Sequence, residues 1–239
     1  MWNNQTISVV LPTYNEKDSI YEIIQGFFAT NLVDEVIVVN NNAAAGTSEE
    51  VAKTKALEVF EKKQGYGYSI RKGLETATSD YVVICEPDAT FVPNDIIKLL
   101  AYALECDIVY GTRTITTFIW SGANMGRFLR YGNWAVAKMM EVLFNTISLS
   151  DVGCTMRLLN RHAIDVLKDK YKVGGSYFGV EMMLLSMVNK LRILQIPVNY
   201  KDRVGKSSVT GDFYKAFKLG MQMIFYIVWF RMKSILPKR

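Results

Sequence analysis

Two carboxylates separated by a single residue are the clearest candidates for chemistry in this sequence. Glu86 and Asp88 directly follow residues 81–85, an apolar β-branched run that predicts a buried strand. On a strand-end turn, both side chains can face one cation, or one can hold the cation and the other its water. Such oxygen ligands suit Mg²⁺ or Mn²⁺, which keep bound waters and bridge a diphosphate. The alternative is an ordinary turn, because Pro87 and Asp88 are common turn formers.

A glycine-rich segment is the second candidate. Gly65, Gly67 and Gly73, with Arg71 between them, open a predicted helix. Glycines let backbone amides approach a phosphate, and a helix N-terminus favours negative charge. The alternative is a helix start that packs tightly, since the segment lacks the dinucleotide-binding glycine fingerprint and does not follow the first strand.

The composition narrows the chemistry further. One histidine, His162, in 239 residues excludes histidine-based triads and leaves acid, base and metal chemistry to carboxylates. The three cysteines, Cys85, Cys106 and Cys154, lack metal-binding spacing and predict buried free thiols. The net charge of +5 favours an anionic partner, whether a phosphate, a membrane or a nucleic acid. Because the basic residues are scattered, a nucleic acid is not expected.

The elements that must position these residues alternate along the chain. Apolar runs predict strands, and periodic segments between them predict helices, which is typical of a parallel sheet covered on both faces. The predicted strands are residues 7–11, 35–39, 81–85 and 107–110, and the predicted helices include residues 20–28, 67–76 and 94–105. The polar candidates follow the strand ends, where open α/β sheets bind ligands. We expect a nucleotide-binding half over about residues 1–113 and an acceptor half over about 114–211.

The last segment, residues 212–239, has a different character. Residues 219–230 are apolar except at Gln222, and lysines and arginines flank them on both sides. This pattern predicts an amphipathic helix that lies in the cytoplasmic leaflet of a membrane. The alternative is a C-terminal helix that packs on the domain or on a second copy. No signal sequence is recognised at the start, so we expect the catalytic part to stay in the cytoplasm.

The motifs, taken in order, resemble those of family 2 glycosyltransferases. The five segments that carry the resemblance are residues 9–16, 35–40, 65–73, 79–88 and 108–113. Arg127 and residues 132–133, 151–157 and 200–208 resemble the branch that makes polyprenyl- and dolichyl-phosphate sugars. The resemblance implies a GT-A fold, a Rossmann-like and mostly parallel α/β sheet flanked by helices, here with a C-terminal amphipathic helix.

The resemblance also implies roles for residues on the donor side. Pro12, Tyr14 and Glu16 match the loop that holds the base and ribose, and the positions of Gly65, Gly67, Arg71 and Arg113 imply substrate binding. Asn40 and Asn41 stand where acidic residues usually contact the nucleoside. Glu86 replaces the usual first aspartate of the metal motif, and Asp88 keeps its second ligand position. A longer carboxylate still reaches a cation through water, so Mg²⁺ or Mn²⁺ remains the predicted cofactor.

On the acceptor side, the resemblance gives Asp151 a role in catalysis or acceptor handling. An ionised phosphate acceptor needs little help from a base but needs cations to position it, and guanidinium groups match phosphate geometry. Arg127, Arg130 and Arg157 are the candidates. Arg203 and Ser207 resemble the family's mobile loop that closes on the donor diphosphate. The alternatives are surface arginines, a turn at Asp151 and a plain flexible loop.

We therefore expect a metal-dependent, inverting transferase. It would move a sugar from a nucleoside diphosphate sugar to a polyprenyl phosphate at the cytoplasmic face of a membrane. One alternative is transfer to a saccharide acceptor in surface polysaccharide or glycoprotein assembly. The other is an inactive nucleotide-sugar-binding module, which the departures at Asn40, Asn41 and Glu86 keep open. The sequence leaves the sugar, the nucleotide and a homo-oligomeric state undetermined.

Overall fold

A computed structural model describes residues 2–205 and 212–235 of the chain. Its centre is a seven-stranded mixed sheet in the order β3-β2-β1-β4-β6-β5-β7. The strands are β1 (Ile7–Thr13), β2 (Glu35–Asn40), β3 (Leu57–Phe60), β4 (Tyr81–Ile84), β5 (Ile108–Thr112), β6 (Arg157–Asn160) and β7 (Ile193–Pro197). All neighbouring pairs are parallel except those of β6, which runs antiparallel to β4 and β5.

Helices cover both faces of this sheet. They are α1 (Lys17–Ala29), α2 (Thr47–Ala52), α3 (Tyr66–Thr76), α4 (Ile96–Leu100), α5 (Arg127–Phe144), α6 (Arg161–Leu167), α7 (Phe178–Val188) and α8 (Phe213–Ile235). Two 3₁₀ turns, Pro93–Asp95 and Thr116–Phe118, connect them. The α/β fold with a mostly parallel sheet, and the helix at the C-terminal end of the described chain, confirm the predicted fold class.

The buried strands form because their side chains alternate between two apolar cores. In β1, Val10 enters the core shared with α3, α5, α6, α7 and α8, whereas Val9 and Leu11 enter the core shared with α1 and α4. Every residue of β1 is buried, which explains why its sequence is mostly apolar. A sheet buried on both faces holds its strand ends rigidly, and those ends carry the polar residues.

Three strands and one helix boundary differ from the sequence-based expectation. The prediction missed β3, β6 and β7, and the antiparallel β6 makes the sheet mixed. β3 lies at the sheet edge, where Leu57 and Phe60 remain 45% and 62% exposed, so its pattern does not resemble that of the central strands. The helix predicted over residues 94–105 is shorter, because α4 ends at Leu100 and continues as turns.

Helix α8 packs beside α5 with the same direction. Phe128 lies near Phe213 at the two helix starts, with ring centroids 4.6 Å apart, and Phe144 lies near Phe230 at 6.3 Å toward the other ends. Tyr226 donates a 2.9 Å hydrogen bond to the buried Glu181 of α7. Among residues 2–205 and 212–235, no helix combines the length and the apolar character needed to cross a membrane.

Candidate active site

The carboxyl edge of the sheet gathers most of the charged candidates. β4 ends at Ile84, just before Glu86 and Asp88, and β5 ends at Thr112, just before Arg113. Because β6 runs the other way, its first residue, Arg157, lies opposite Ile84, the last residue of β4, and opposite Tyr110, two residues before the end of β5. The antiparallel strand β6 thus begins with an arginine near the sheet edge at which the parallel strands have their C-terminal ends.

Arg203 brings the two carboxylates together. Its Nη2 lies 3.3 Å from Oε2 of Glu86 and also forms an ion pair with Oδ2 of Asp88. The other oxygen of Asp88 accepts hydrogen bonds from the amide of Thr90, at 3.0 Å, and from its hydroxyl, at 2.6 Å. Asp88 is 1% exposed, so its carboxylate is fixed in one orientation. The predicted pair therefore faces a shared positive charge.

The electrostatics of this pair favour added positive charge. Burial, together with the negative charge of Asp88, raises the pKa of Glu86 to about 8, although Arg203 opposes the shift. Removing a proton from Glu86 is therefore costly unless positive charge is added. Two adjacent carboxylates supply hard oxygen ligands and negative charge, which together suit a divalent cation. Among the described residues, no cluster of three or more metal-binding side chains exists, so a cation here would take its remaining ligands from substrate and water.

Asp151 differs from the expectation of a catalytic group. Its Oδ2 accepts from the amide and Nε of Arg113, both at 2.9 Å, and its Oδ1 accepts from Nη2 of Arg113 at 3.0 Å and from the amide of Gly153 at 2.9 Å. Burial by itself would raise the pKa of Asp151, but the Arg113 charge and these hydrogen bonds lower it overall. A fully engaged carboxylate of low pKa is a poor base. Asp151 therefore positions Arg113.

Arg157 was expected to bind an acceptor phosphate, but it is 2% exposed and mostly engaged with the protein. Its Nη1 donates to the carbonyl of Gly179 at 3.2 Å and contacts Sδ of Met182 at 3.5 Å, and its Nη2 donates to the carbonyl of Cys154. Its guanidinium also lies 5.3 Å from the centre of the Tyr110 ring. The terminal nitrogens of Arg157 are thus not available for a bidentate phosphate contact.

The glycine-rich start of α3 is explained by packing. The amide of Gly67 donates to the carbonyl of Gly174 at 2.9 Å, so it is not free to bind a phosphate. A Cβ on Gly67 would lie 2.5 Å from the carbonyl oxygen of Val173, and a Cβ on Gly65, whose φ is +151°, would lie 2.3 Å from that of Gly174. Arg71 lines a different cavity of about 220 Å³ between α3 and α6. The structure therefore does not bring these three residues to the carboxylate pair.

Asn40 and Asn41 hold the loop after β2. Asn40 donates to Ser48 and Glu58 and accepts from the amide of Ala43. Asn41 donates to the carbonyls of Glu61 and Lys63 and accepts from Gln64 and the amide of Gly65. Both side chains are saturated by the protein, which accounts for amides at these two positions.

The remaining candidates on the donor side stay near the edge. Pro12 pairs with Val39 near the end of β1, and the ring of Tyr14 is 45% exposed. Glu16 accepts from the amides of Tyr14 and Asn15 at 2.7 and 2.8 Å, and its charge contributes to the raised pKa of Glu86. These three residues are compatible with a nucleoside site beside the carboxylates.

Two of the remaining acceptor-side candidates are at the start of α5. Arg127 is exposed, and Arg130 is half-buried against its neighbour Tyr131, with its charge 5.0 Å from the ring centre. Neither lines the cavity next to the carboxylates. Ser207 lies outside the described residues.

A cavity of about 420 Å³ adjoins Glu86. Its polar lining comes largely from the carboxyl edge and includes Tyr66, Glu86, Arg113, Thr155, Arg157 and Arg203. Its apolar lining comes mainly from α5 and α8 and includes Phe128, Leu129, Val136, Phe217, Leu219, Met223 and Ile224. The cavity therefore connects the charged edge of the sheet to a groove between two helices.

Two residues of this lining were not found from the sequence. Tyr66 stands inside the glycine-rich motif, where attention falls on its neighbours, and Thr155 stands inside the segment over residues 151–157. Their hydroxyl oxygens are buried and have no hydrogen-bond partner among the described residues. Nothing in their spacing predicts this.

Comparison with known proteins places the chain in a family. Residues 8–167, about two thirds of the chain, match the sequence model described as Glycosyl transferase family 2. The chain belongs to this family. Membership confirms the prediction of a glycosyltransferase of family 2.

Relatives of this family 2 glycosyltransferase differ in length. The low-salt glycan biosynthesis hexosyltransferase Agl6 of Haloferax volcanii is 26% identical over 210 residues, which cover 85% of this chain but 50% of that protein. The chain thus spans about half the length of this relative. An uncharacterized glycosyltransferase of Mycobacterium bovis is also 26% identical over 208 residues, covering 86% of this chain and 90% of that protein.

Among solved structures, glucosyl-3-phosphoglycerate synthase from Mycobacterium tuberculosis is similar over 98% of this chain. In its complex with UDP, the TM-score is 0.75 at 17% identity, with 82% of that protein covered. In its complex with Mn²⁺, UDP and glucosyl-3-phosphoglycerate, the TM-score is 0.73 at 18% identity, again with 82% covered. This likeness shows that the family 2 glycosyltransferase described here shares its fold.

Proposed function

We propose that this glycosyltransferase moves a hexose from a nucleoside diphosphate sugar to a polyprenyl phosphate at the cytoplasmic face of a membrane, with inversion at the anomeric carbon. The observation that carries the proposal is the continuity of one cavity. It connects Glu86, one member of the carboxylate pair, to an apolar groove between α5 and α8. One end suits a charged donor, and the other suits a hydrocarbon chain.

The donor side rests on the carboxylate pair. Glu86 and Asp88 would hold Mg²⁺ or Mn²⁺, as the raised pKa of Glu86 and its shared contact with Arg203 support. A divalent cation bound there would supply positive charge to the diphosphate as it departs. The solved relative binds Mn²⁺ together with UDP, which supports the same class of donor here. Arg203 adds a second positive charge beside that position.

The acceptor side rests on the lining of the groove. Side chains of α5 and α8 such as Leu129, Phe217 and Ile224 present hydrocarbon surface, which favours burial of an apolar chain. A saccharide acceptor would need hydrogen-bonding partners along its length, and these helices supply few of them. The positive charge of Arg113 and Arg203 along the cavity favours the phosphate head group near the sheet edge.

The reaction needs no strong base. A phosphate oxygen of the acceptor is already ionised and attacks the anomeric carbon of the sugar, forming the new carbon–oxygen bond. The bond from that carbon to the donor diphosphate breaks on the opposite side, and its electron pair leaves with the nucleoside diphosphate. Arg113, held rigidly by Asp151, favours the anionic acceptor by its charge. This assignment agrees with Asp151 being fully engaged.

Membrane contact is supported by the outer surface of α5 and α8. Eight aromatic side chains on these adjacent helices are between 46% and 73% exposed: Phe128, Tyr131, Trp134, Phe213, Tyr214, Phe217, Phe225 and Trp229. Basic residues lie among them, including Arg127, Lys215, Lys218 and Lys233. Aromatic rings with flanking cations favour the head-group region of anionic membranes.

The test is to offer the purified protein a panel of nucleoside diphosphate hexoses, each with a polyprenyl phosphate in detergent or with saccharide acceptors, in Mg²⁺ or Mn²⁺. We expect release of nucleoside diphosphate and formation of a lipid-phosphate sugar. Asp88→Asn should lower turnover at least a hundredfold while thermal unfolding shows a folded protein. Transfer to the saccharides alone would overturn the lipid acceptor, and no transfer to any acceptor would overturn the function.

A matched pair of variants tests the groove. A Cβ on Gly220 would meet nothing within 4 Å, yet Gly220 lines the cavity, so Gly220→Leu should fill the groove without disturbing the helix. It should raise the KM for the polyprenyl phosphate and leave the KM for the donor unchanged. Val142→Leu, at a position of α5 that is 80% exposed and does not line the cavity, serves as the control. Equal behaviour of the two variants would contradict the groove as the lipid site.

A further inference from the structure

Three buried polar atoms without hydrogen-bond partners among the described residues belong to residues that line the cavity beside Glu86. They are the hydroxyl oxygens of Tyr66 and Thr155 and the Nε of Arg157. They come from two distant parts of the chain: Tyr66 opens α3, and Thr155 and Arg157 stand close together where the chain enters β6. Their meeting in one cavity wall is therefore a product of the fold.

Unmet hydrogen bonds of this kind are costly. A buried donor or acceptor without a partner costs about 1–3 kcal/mol, so folded proteins rarely retain several at one place unless a ligand uses them. The neighbouring backbone is also held firmly, since the amide of Gly67 is bound to Gly174 and Arg157 is bound to Gly179 and Cys154. The guanidinium group of Arg157 and the backbone next to Tyr66 are thus fixed before any ligand arrives.

The chemistry of the three groups distinguishes between ligands. Two of them are hydroxyls, and burial together with the charge of Glu86 raises the pKa of Tyr66 well above its usual value, so that it stays neutral. Three of the five N–H groups of Arg157 are already engaged, which leaves the Nε–H and one N–H of Nη2 for a ligand. A phosphate dianion at this place would meet few free cationic donors and the adjacent Glu86 carboxyl group. A sugar ring, whose hydroxyls both donate and accept, matches the set.

We propose that Tyr66, Thr155 and Arg157 form the subsite that holds the transferred sugar and distinguishes hexoses by their hydroxyl groups. This inference rests on the proposed function, because it assigns the sugar part of the same donor. The subsite adjoins Glu86, so the bound ring would lie next to the diphosphate that leaves. A site built to hydrogen-bond sugar hydroxyls rejects analogues that lack them, because its own buried groups then stay unpaired.

The experiment compares Tyr66→Phe and Thr155→Val with the wild-type protein on the best hexose donor of the panel and on its deoxy analogues. Each variant should lower kcat/KM for the hexose roughly 3- to 10-fold, which corresponds to one neutral hydrogen bond. For the deoxy sugar that lacks the matching hydroxyl, the variant and the wild type should be nearly equal. The affinity for the nucleoside diphosphate alone, measured by calorimetry, should not change.

Tyr171→Phe is the matched control. The hydroxyl of Tyr171 is likewise buried and without a partner among the described residues, but Tyr171 does not line this cavity. It should therefore leave the discrimination between hexose and deoxy sugar unchanged. If Tyr66→Phe and Thr155→Val behave like this control, or if they lose nucleoside diphosphate and sugar binding in equal measure, the subsite is overturned.

Failure of the proposed function would be recognised separately. If the wild-type protein transfers no sugar, the function is refuted, and the subsite is then tested by binding alone. At least one nucleoside diphosphate hexose should still bind more tightly than its nucleoside diphosphate, and Tyr66→Phe should reduce that difference. If no hexose in the panel adds affinity, the subsite is refuted as well.

Discussion

The charged side chains at the sheet edge form two separate groups of ion pairs. In one, Arg203 contacts both Glu86 and Asp88, and in the other, Arg113 forms a two-point ion pair with Asp151. The first group contains two acidic residues and one arginine, so additional positive charge would balance it. The second is balanced and buried. The first is therefore suited to binding a cation, and the second to holding a side chain in place.

Glu86 gives the metal-free protein a defined pH dependence. Above pH 4.5, its usual pKa, Glu86 of the unfolded chain loses its proton, whereas folded Glu86 keeps it until about pH 8. The unfolded state binds fewer protons in this window, so stability falls as pH rises. In a chelator, the wild type should lose about 1 kcal/mol of unfolding free energy relative to Glu86→Gln between pH 5 and 8.5, a value reduced because 27% of the side chain is exposed.

Urea denaturation of both proteins at several pH values measures this difference. A constant gap between wild type and Glu86→Gln across the window would contradict the raised pKa. If the wild type instead gains stability relative to Glu86→Gln as the pH rises, the pKa of Glu86 is shifted in the opposite direction.

The buried ion pair predicts a strong coupling between two substitutions. Asp151→Asn removes the countercharge of Arg113 and should lower the free energy of unfolding by about 3 kcal/mol, because it leaves a buried charge without its partner. The double variant Arg113→Gln with Asp151→Asn should be less destabilised than the sum of the two single variants. Chemical denaturation gives the coupling energy. Additive effects would show that the pair does not act as a unit.

At the level of elements, the packing of α3 on the loop at Gly174 can be tested by adding a methyl group at the contact. In Gly67→Ala, the new Cβ would lie 2.5 Å from the carbonyl oxygen of Val173 and 2.9 Å from the ring of Phe178. We expect a loss of about 1–3 kcal/mol of stability from this overlap. Gly132→Ala in α5 is the control, since its Cβ meets nothing within 4 Å and alanine favours a helix. Thermal unfolding of both variants decides whether the glycine serves packing, and equal stability would contradict it.

The sequence predicted some elements well for a physical reason. β1, β2, β4 and β5 lie inside the sheet and bury both faces, which requires the apolar runs that were recognised. The edge strand β3 is half exposed, and β6 has only four residues, so neither carries a strong pattern. The reversed direction of β6 cannot be seen in a local pattern because it depends on which strands become neighbours.

The same reasoning explains the outcome at the site. Glu86 and Asp88 were recognisable because they are close in sequence and follow a strand. The role of Asp151 was not, because its partner Arg113 stands 38 residues earlier and the pairing exists only in the folded chain. The unpaired hydroxyls of Tyr66 and Thr155 are likewise visible only when all neighbours are in place.

At the scale of the whole molecule, the exposed aromatic surface of α5 and α8 predicts binding to anionic vesicles. Phe225→Gln, which changes a ring that is 68% exposed on α8, should weaken binding to phosphatidylglycerol vesicles about 5- to 10-fold, since part of the ring's apolar area no longer enters the lipid. Phe60→Gln on the edge strand β3, 62% exposed, is the matched control and should bind as the wild type does. Co-sedimentation with vesicles measures both, and equal weakening would place the contact elsewhere.

Helix α8 both lines the cavity and carries exposed aromatic rings, and this has a consequence for product release. One side of this helix walls the cavity, while other positions carry the exposed rings of Phe225 and Trp229. A hydrocarbon tail that slides out past Phe217 and Ile224 would pass from protein to bilayer without a stage in water. Turnover would then depend on how fast the tail diffuses sideways into the leaflet, and a thicker or more ordered bilayer would slow the enzyme even with every catalytic group intact.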